Sequence, residues 1–457
     1  MDKLSVKIIL RLTKALNTVL MLLPFMAGWF GCYAGLAHET GSDIVSWLMA
    51  AVFVFLYLTY GRIYDSFSVS RVRISEMIYS QCLSLVMADM LLYFIICLMA
   101  HAVVPAVPML ITFGVQILMS VCWSTGVHIW YFKTFPPKRT AIVYDRHRNI
   151  EPLISAYGLE KKYRLCQIVT VDECISSDLA PLKDMETVFL CGIRSHDRNI
   201  ILKHCVKHSI SVYVLPRIGD VMMSGAKRIH LFHLPFLRVE RYSPSPEFLL
   251  TKRLFDIVVS ATALVVLSPV LLVTAIAIKA HDGGPVLYRQ TRLTKDGKEF
   301  GVLKFRSMRV DAEKDGVARL STGDHDDRIT PVGRFIRKVR IDELPQLINI
   351  LGGSMSIVGP RPERPEIARQ YEQQLPEFSL RLQAKAGLTG YAQVYGKYNT
   401  TPYDKLQMDL MYIAHPSLLE DLRIIFATVK ILFIPESTEG VSEGMETAMD
   451  QEEETIK

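Results

Sequence analysis

Two adjacent acids, Asp342 and Glu343, lie in the run RIDELPQL (340–347), directly behind a crowd of cations: Arg334, Arg337, Lys338 and Arg340. Carboxylates so placed can cap a helix, hold a metal or form a catalytic pair. Asp342 is well positioned to cap the helix that follows, since Pro345 is tolerated in a first turn. A helix N-terminus also lowers a carboxylate pKa and attracts phosphate. Helical neighbours point about 100° apart, so the two acids are expected to do different jobs rather than share one proton.

More cations converge from other segments. Asp296-Gly297 marks a hairpin turn, and in the strand after it Phe300, Val302, Lys304 and Arg306 share one face. Lys304 and Arg306 then project together, as a phosphate site requires, although a solvated strand face shows the same pattern. Arg361 is clamped between Pro360 and Pro362, and Arg364 precedes Pro365. Rigid backbone lowers the entropy cost of presenting each guanidinium.

Other chemistries are weakly signalled. GLTGYAQVYGK (387–397) has glycines one residue too far apart for a phosphate loop, and Tyr398 follows the lysine where Ser or Thr is needed. No other ATP motif occurs. None of the eight cysteines forms a CxxC, and none follows Cys205, so the C-terminal half has no thiol nucleophile. His204 and His208 are one helical turn apart but lack the acid of HExxH, and read as a solvated helix face. A net charge of +6 fits an anionic substrate or leaflet and is too weak to argue for nucleic acid.

Half of the 457 residues are hydrophobic, concentrated in the first third and one later stretch. Apolar segments at 16–37, 44–60, 77–100 and 102–132 are each long enough to span roughly 30 Å of hydrocarbon as a helix. Lys and Arg flank alternate ends only, which places the N-terminus and the downstream chain on the cytoplasmic face. Asp89 lies inside the third segment and reads as a helix-packing hydrogen bond.

Residues 138–240 alternate strand-like runs (140–144, 165–171, 187–191, 211–215) with helix-like runs (150–157, 197–208), the pattern of a small Rossmann-like α/β domain. The glycines of a dinucleotide fingerprint are missing after its first strand, favouring a scaffold or regulatory role. A Ser/Pro-rich linker (241–250) follows, and an acidic tail (436–457) reads as disordered. The apolar run 254–279 is basic at both ends and interrupted by Ser268-Pro269. Proline frees a carbonyl that the serine hydroxyl can satisfy, so a re-entrant helix–break–helix is expected, in preference to a fifth span.

KFRSMR, IDELPQLINILGGSMSIVGPRPERPE and AGLTGYAQVYGK, behind that broken helix, resemble the bacterial sugar transferases, the monotopic polyprenyl-phosphate phosphoglycosyl transferases. The four-span start looks like their large subclass, which initiates capsular, exopolysaccharide or O-antigen synthesis. The resemblance implies an α/β membrane protein: four transmembrane helices (1–137), the α/β domain (138–240) and an α+β monotopic catalytic domain (251–435), at the bacterial inner membrane with the catalytic part cytoplasmic. It implies transfer of sugar 1-phosphate from a UDP-sugar to undecaprenyl phosphate with release of UMP. Asp342 matches the family's nucleophile and Glu343 the residue associated with Mg2+. Lys304, Arg306 and Arg361 match positions that hold phosphates, with Arg337, Arg340 and Arg364 as looser candidates. The middle domain is left open between mediating a homodimer and binding a regulatory nucleotide. Two departures stand out: Ala386 where proline is common, and Thr294 where glycine is common. Two rival readings remain, a scaffold without catalysis and an ordinary glycosyltransferase that releases UDP.

Overall fold

The structure, a computed structural model, describes residues 3–37, 42–70, 73–145, 154, 159–242, 244–309, 328–396 and 400–432. The chain forms two compact units, Met1–Pro216 and Arg217–Lys457.

The first unit begins with α1 (Lys3–Gly28), α2 (Ser42–Ile63), α3 (Ile74–Met99) and α4 (Val107–Thr134). All four are long and apolar enough to cross a membrane. Their shared core includes Met21, Phe25, Trp29, Phe53, Leu85 and Leu92. Polar side chains there pair with one another: Trp29 donates to Ser46 (2.9 Å), Tyr57 to Asn17 (2.7 Å) and Ser120 to Gln81 (2.6 Å). Asp89 departs from expectation. It is buried, but neither carboxylate oxygen has a hydrogen-bond donor among the described residues.

Strands β1 (Lys138–Tyr144), β2 (Tyr163–Thr170), β3 (Thr187–Cys191) and β4 (Ser211–Leu215) form a parallel sheet in the order β2-β1-β3-β4. Helices α5 (Val171–Ser176) and α6 (Ser195–Lys207) lie between them in sequence. The strand-like runs and the second helix-like run match these elements; the run 150–157 lies almost wholly outside the described residues. This unit ends at Pro216 rather than at 240. The reason is α7 (Ile218–Ser224), whose Ile218 and Val221 join the core of the second unit.

In that unit, β5 (Lys227–Leu231) and β6 (Leu234–Arg238) pair as an antiparallel hairpin. Helix α8 (Pro246–Val266) starts inside the segment read as linker, because Ser245 caps it by accepting from the Phe248 N–H. Helix α9 (Ser268–Asp282) follows after a 61° bend. At the bend Ser268 Oγ donates to the Val265 carbonyl at 2.7 Å, the compensation expected beside Pro269.

Hairpin strands β7 (Leu287–Leu293) and β8 (Glu299–Phe305) lead to α10 (Pro331–Lys338), a 3-10 turn (Ile341–Glu343) and α11 (Gln346–Leu351). The rest is β9 (Ser356–Val358), α12 (Pro365–Gln374), a 3-10 segment (Pro376–Gln383), β10 (Gly387–Thr389), α13 (Tyr391–Tyr395), α14 (Pro402–Ala414) and α15 (Leu418–Leu432). Val302, Ile350, Met355, Phe378, Leu406 and Ile424 centre the core. Each such side chain contributes about 1.5–3 kcal/mol by leaving water.

Candidate functional site

Three elements converge on Glu343. Strand β8 brings Lys304, whose Nζ lies 3.3 Å from Glu343 Oε1. The Pro-clamped loop brings Arg361, 3.0 Å from the same oxygen. Arg340 reaches Oε2 at 3.7 Å from the start of the 3-10 turn. Arg340 has φ +55°, a left-handed conformation costly for arginine and typical of strained functional backbone.

Local contacts fix these approaches. Thr330 caps α10 by accepting from the Gly333 N–H at 2.9 Å. A Cβ on Gly333 would sit 1.9 Å from the Ser307 carbonyl oxygen, so only glycine lets α10 pack against the end of β8. Asn349 on α11 accepts from the Leu303 N–H (2.9 Å) and donates to the Gly301 carbonyl (2.8 Å), locking the helix after the acids to the strand that carries Lys304. Arg253 on α8 donates to the carbonyls of Ile350 and Leu351, closing the end of α11.

The adjacent carboxyls are shifted in opposite directions. Burial favours the neutral form of Glu343, but Arg361, Lys304 and Arg340 outweigh it and hold this carboxyl well below its ordinary range. Burial, reinforced by Glu343, pushes Asp342 up, while Lys304, Arg337 and Arg361 oppose the shift. Asp342 forms no ion pair with another described residue. It also caps nothing: α11 starts without a side-chain cap, and Asp342 sits in the preceding 3-10 turn, three residues too early.

A small cleft opens beside Glu343, with Arg292, Lys304, Gln346, Arg361 and Gln393 in its wall. Arg292 pairs loosely with Glu363 (3.9 Å) and donates to the Pro362 carbonyl, and burial brings its pKa down to about 10. Glu363 also meets Lys405 (3.1 Å) and Arg381 (3.5 Å), and Arg381 forms a buried pair with Asp409 (2.6 Å). This network stands directly behind Arg361, whose carbonyl accepts from Arg381.

Lys304, Arg340, Glu343 and Arg361 are therefore in contact, and Arg337 lies close to Asp342. Arg306 is elsewhere. Its backbone continues the pairing of β8, the Arg306 N–H donating to the Val286 carbonyl at 2.9 Å, but its guanidinium pairs with Asp282 at the end of α9. Arg364 stands at the start of α12, near Arg292. Sequence reasoning missed Arg292, Gln346, Glu363 and Gln393. Gln393 lies within GLTGYAQVYGK, a run weighed only as a phosphate loop.

The two departures meet. The Thr294 hydroxyl accepts from the Ala386 N–H at 3.1 Å and donates to the Ser354 carbonyl at 2.9 Å. Proline at 386 would supply no N–H and glycine at 294 no hydroxyl, so the two changes form one contact.

The family model described as Bacterial sugar transferase matches residues 247–435. The chain is similar to the UDP-N-acetylgalactosamine-undecaprenyl-phosphate N-acetylgalactosaminephosphotransferase of Aeromonas hydrophila, 36% identical over 234 residues, covering 50% of this chain and 54% of that one. It is 42% identical over 212 residues to the UDP-glucose:undecaprenyl-phosphate glucose-1-phosphate transferase of Escherichia coli (strain K12), covering 45% and 44% of the two chains. It spans about half the length of each of these relatives. The Exopolysaccharide production protein PSS of Rhizobium leguminosarum bv. phaseoli is 43% identical over 190 residues, 40% of this chain and 94% of that one. A relative matched almost end to end, together with the family model over the same acids and cations, establishes that this chain belongs to the bacterial sugar transferase family.

Proposed function

We propose that the protein transfers sugar 1-phosphate from a UDP-sugar to undecaprenyl phosphate, releasing UMP, at the cytoplasmic face of the bacterial inner membrane, as the first membrane step in building a capsular, exopolysaccharide or O-antigen chain. The observation that carries this reading is the unequal acid pair: Glu343 held ionised by three cations, and Asp342 beside the same cations without an ion pair of its own. The names of the Aeromonas and Escherichia relatives, both sugar-phosphate transferases to undecaprenyl phosphate, support it.

An Asp342 oxygen attacks the β-phosphorus of the UDP-sugar. The bond from that phosphorus to the bridging oxygen breaks, UMP leaves with the bridging electron pair, and an aspartyl-phosphosugar remains. An oxygen of undecaprenyl phosphate then attacks the same phosphorus. The aspartyl–phosphorus bond breaks, which restores the carboxylate and yields a polyprenyl diphosphosugar. One phosphoanhydride replaces another, so no ATP is required. Lys304, Arg337, Arg340 and Arg361 neutralise charge around the diphosphate.

Mg2+ favours one or two carboxylates together with substrate phosphate oxygens, and Glu343 is the carboxylate that fits such a donor set. Glu343 would hold the ion, exchanging part of its cation shell for it. When bound, the metal neutralises diphosphate charge.

The broken helix is read as re-entrant. Asp256 on α8 accepts from the Ile357 N–H, and Ile278 on α9 packs with Phe305 and Ile336, so both arms are tied to one unit. Each arm extends roughly 17 Å from its tie to the bend, about half of what a bilayer crossing needs. Val265, Val266, Leu272 and Val273 around the bend are exposed and apolar.

Purified protein given undecaprenyl phosphate and a panel of UDP-sugars should release UMP and no UDP. Asp342→Asn should lower the rate by at least about 100-fold. Release of UDP, or a fully active Asp342→Asn protein, would overturn the reading.

A further inference from the structure

Gln346 stands in the cleft wall beside Glu343, among Arg292, Lys304 and Arg361. The residue is 4% exposed. Its side-chain amide makes no hydrogen bond with another described residue. Neither amide atom is sealed from solvent, whereas Oε1 of Gln393 in the same wall is. An amide that is deeply set, unpaired and still in touch with solvent faces the open side of the cleft. The backbone carries it there. Leu344 and Pro345 are right-handed helical, so the 3-10 turn Ile341–Glu343 runs on into α11 without reversal. Along such a stretch, residues three and four apart share a side, with Cβ atoms about 5–6 Å apart. Gln346 therefore lies on the side of Glu343 and Asp342.

The amide adds what the cations lack. Lys and Arg only donate, and ionised phosphate oxygens only accept, so the cations suit the diphosphate. A glutamine amide both donates and accepts, and hydroxyl groups do the same. A UDP-sugar carries neighbouring hydroxyls on its hexose and on its ribose. The hexose is joined through one oxygen to the phosphorus that Asp342 attacks, and the ribose lies beyond the second phosphate. A side chain one turn from Asp342 is nearer the hexose. We propose that the Gln346 amide hydrogen-bonds hexose hydroxyls of the bound UDP-sugar and thereby contributes to the choice of sugar. This deepens the functional reading above and rests on it. A sugar without the matching hydroxyl leaves the amide unpaired in a desolvated site, which is the source of discrimination.

The test compares full-length wild type with Gln346→Met, which keeps the length and loses both polar atoms, and with Gln346→Ala. UMP release is measured with the preferred UDP-sugar and with its deoxy analogues, each lacking one hexose hydroxyl. UMP serves as a competing ligand, and melting temperature is followed throughout. In a variant that melts like wild type, kcat/KM for the preferred UDP-sugar should fall about tenfold. For at least one deoxy analogue the loss should be smaller by about threefold or more, the sign of a coupled pair. UMP should compete as well as it does against wild type. An equal loss with every analogue, or a parallel loss of affinity for UMP, would put the contact away from the hexose and overturn the proposal. So would a change of less than about twofold, or misfolding of both variants, which would make Gln346 a residue of the fold. A wild-type protein that releases no UMP from any UDP-sugar, with Asp342→Asn no different, removes the functional reading itself and this inference with it.

Discussion

Glu363 shows, at the scale of one residue, how the cations of the cleft are held. Burial works against its charge, but Lys405, Arg381 and Arg292 more than compensate and bring its pKa down to about 2. A carboxyl depressed in the folded state adds stability above its unfolded pKa, near 4.5, and that stability is lost as pH falls through about 2. Glu363→Gln should therefore lose less melting temperature than wild type between pH 5 and 2. At pH 7 it should be destabilised by about 3–5 kcal/mol, because three cations lose the carboxylate they share. Parallel acid-melting curves for the two proteins would contradict this. Little of this network shows in the sequence, since Arg292, Glu363 and Arg381 share no local spacing with one another or with Lys405 and Asp409, which lie one turn apart on α14. Lys304 and Arg361 were legible because a hairpin turn and a proline clamp fix their directions, and Asp342 and Glu343 stood out only as adjacent acids behind a crowd of cations. Arg306 was misplaced because Asp282, distant in sequence, takes its guanidinium.

At the scale of elements, the contact between Thr294 and Ala386 ties the β7–β8 turn to the start of β10. Thr294→Gly removes the hydroxyl and leaves the Ala386 N–H, in a buried setting, unpaired. Ala386→Pro removes the donor. Each single change is expected to cost about 1 kcal/mol or more, and the double change less than the sum of the two. Additive losses in denaturant titrations would show that the departures are independent. Local chemistry made other elements legible: the Asp296-Gly297 turn and the Ser268-Pro269 break appear where side-chain physics puts them. The cap assigned to Asp342 failed because Arg340 turns left-handed, so the acids fall in a 3-10 turn before α11 begins.

For the whole molecule, hydropathy alone revealed four helices able to cross a membrane, because lipid demands long uninterrupted apolar runs. The boundary between the two units was less legible, since α7 changes allegiance through two apolar side chains. The proposed re-entry of α8–α9 would put both its ends on one face of the membrane. Leu250→Cys and His281→Cys, made singly in a cysteine-free background, should react with an impermeant maleimide from the same side, in inverted but not right-side-out vesicles. Labelling from opposite sides would establish a fifth span.

The central claim is that Asp342 carries the phosphosugar between donor and lipid. Protein incubated with a UDP-sugar, without undecaprenyl phosphate, and quenched rapidly should yield by mass spectrometry a peptide spanning Asp342 heavier by one phosphosugar, with an equal amount of UMP released. Adding the lipid should discharge it. UMP formed only when lipid is present, with no adduct on Asp342, would contradict the claim.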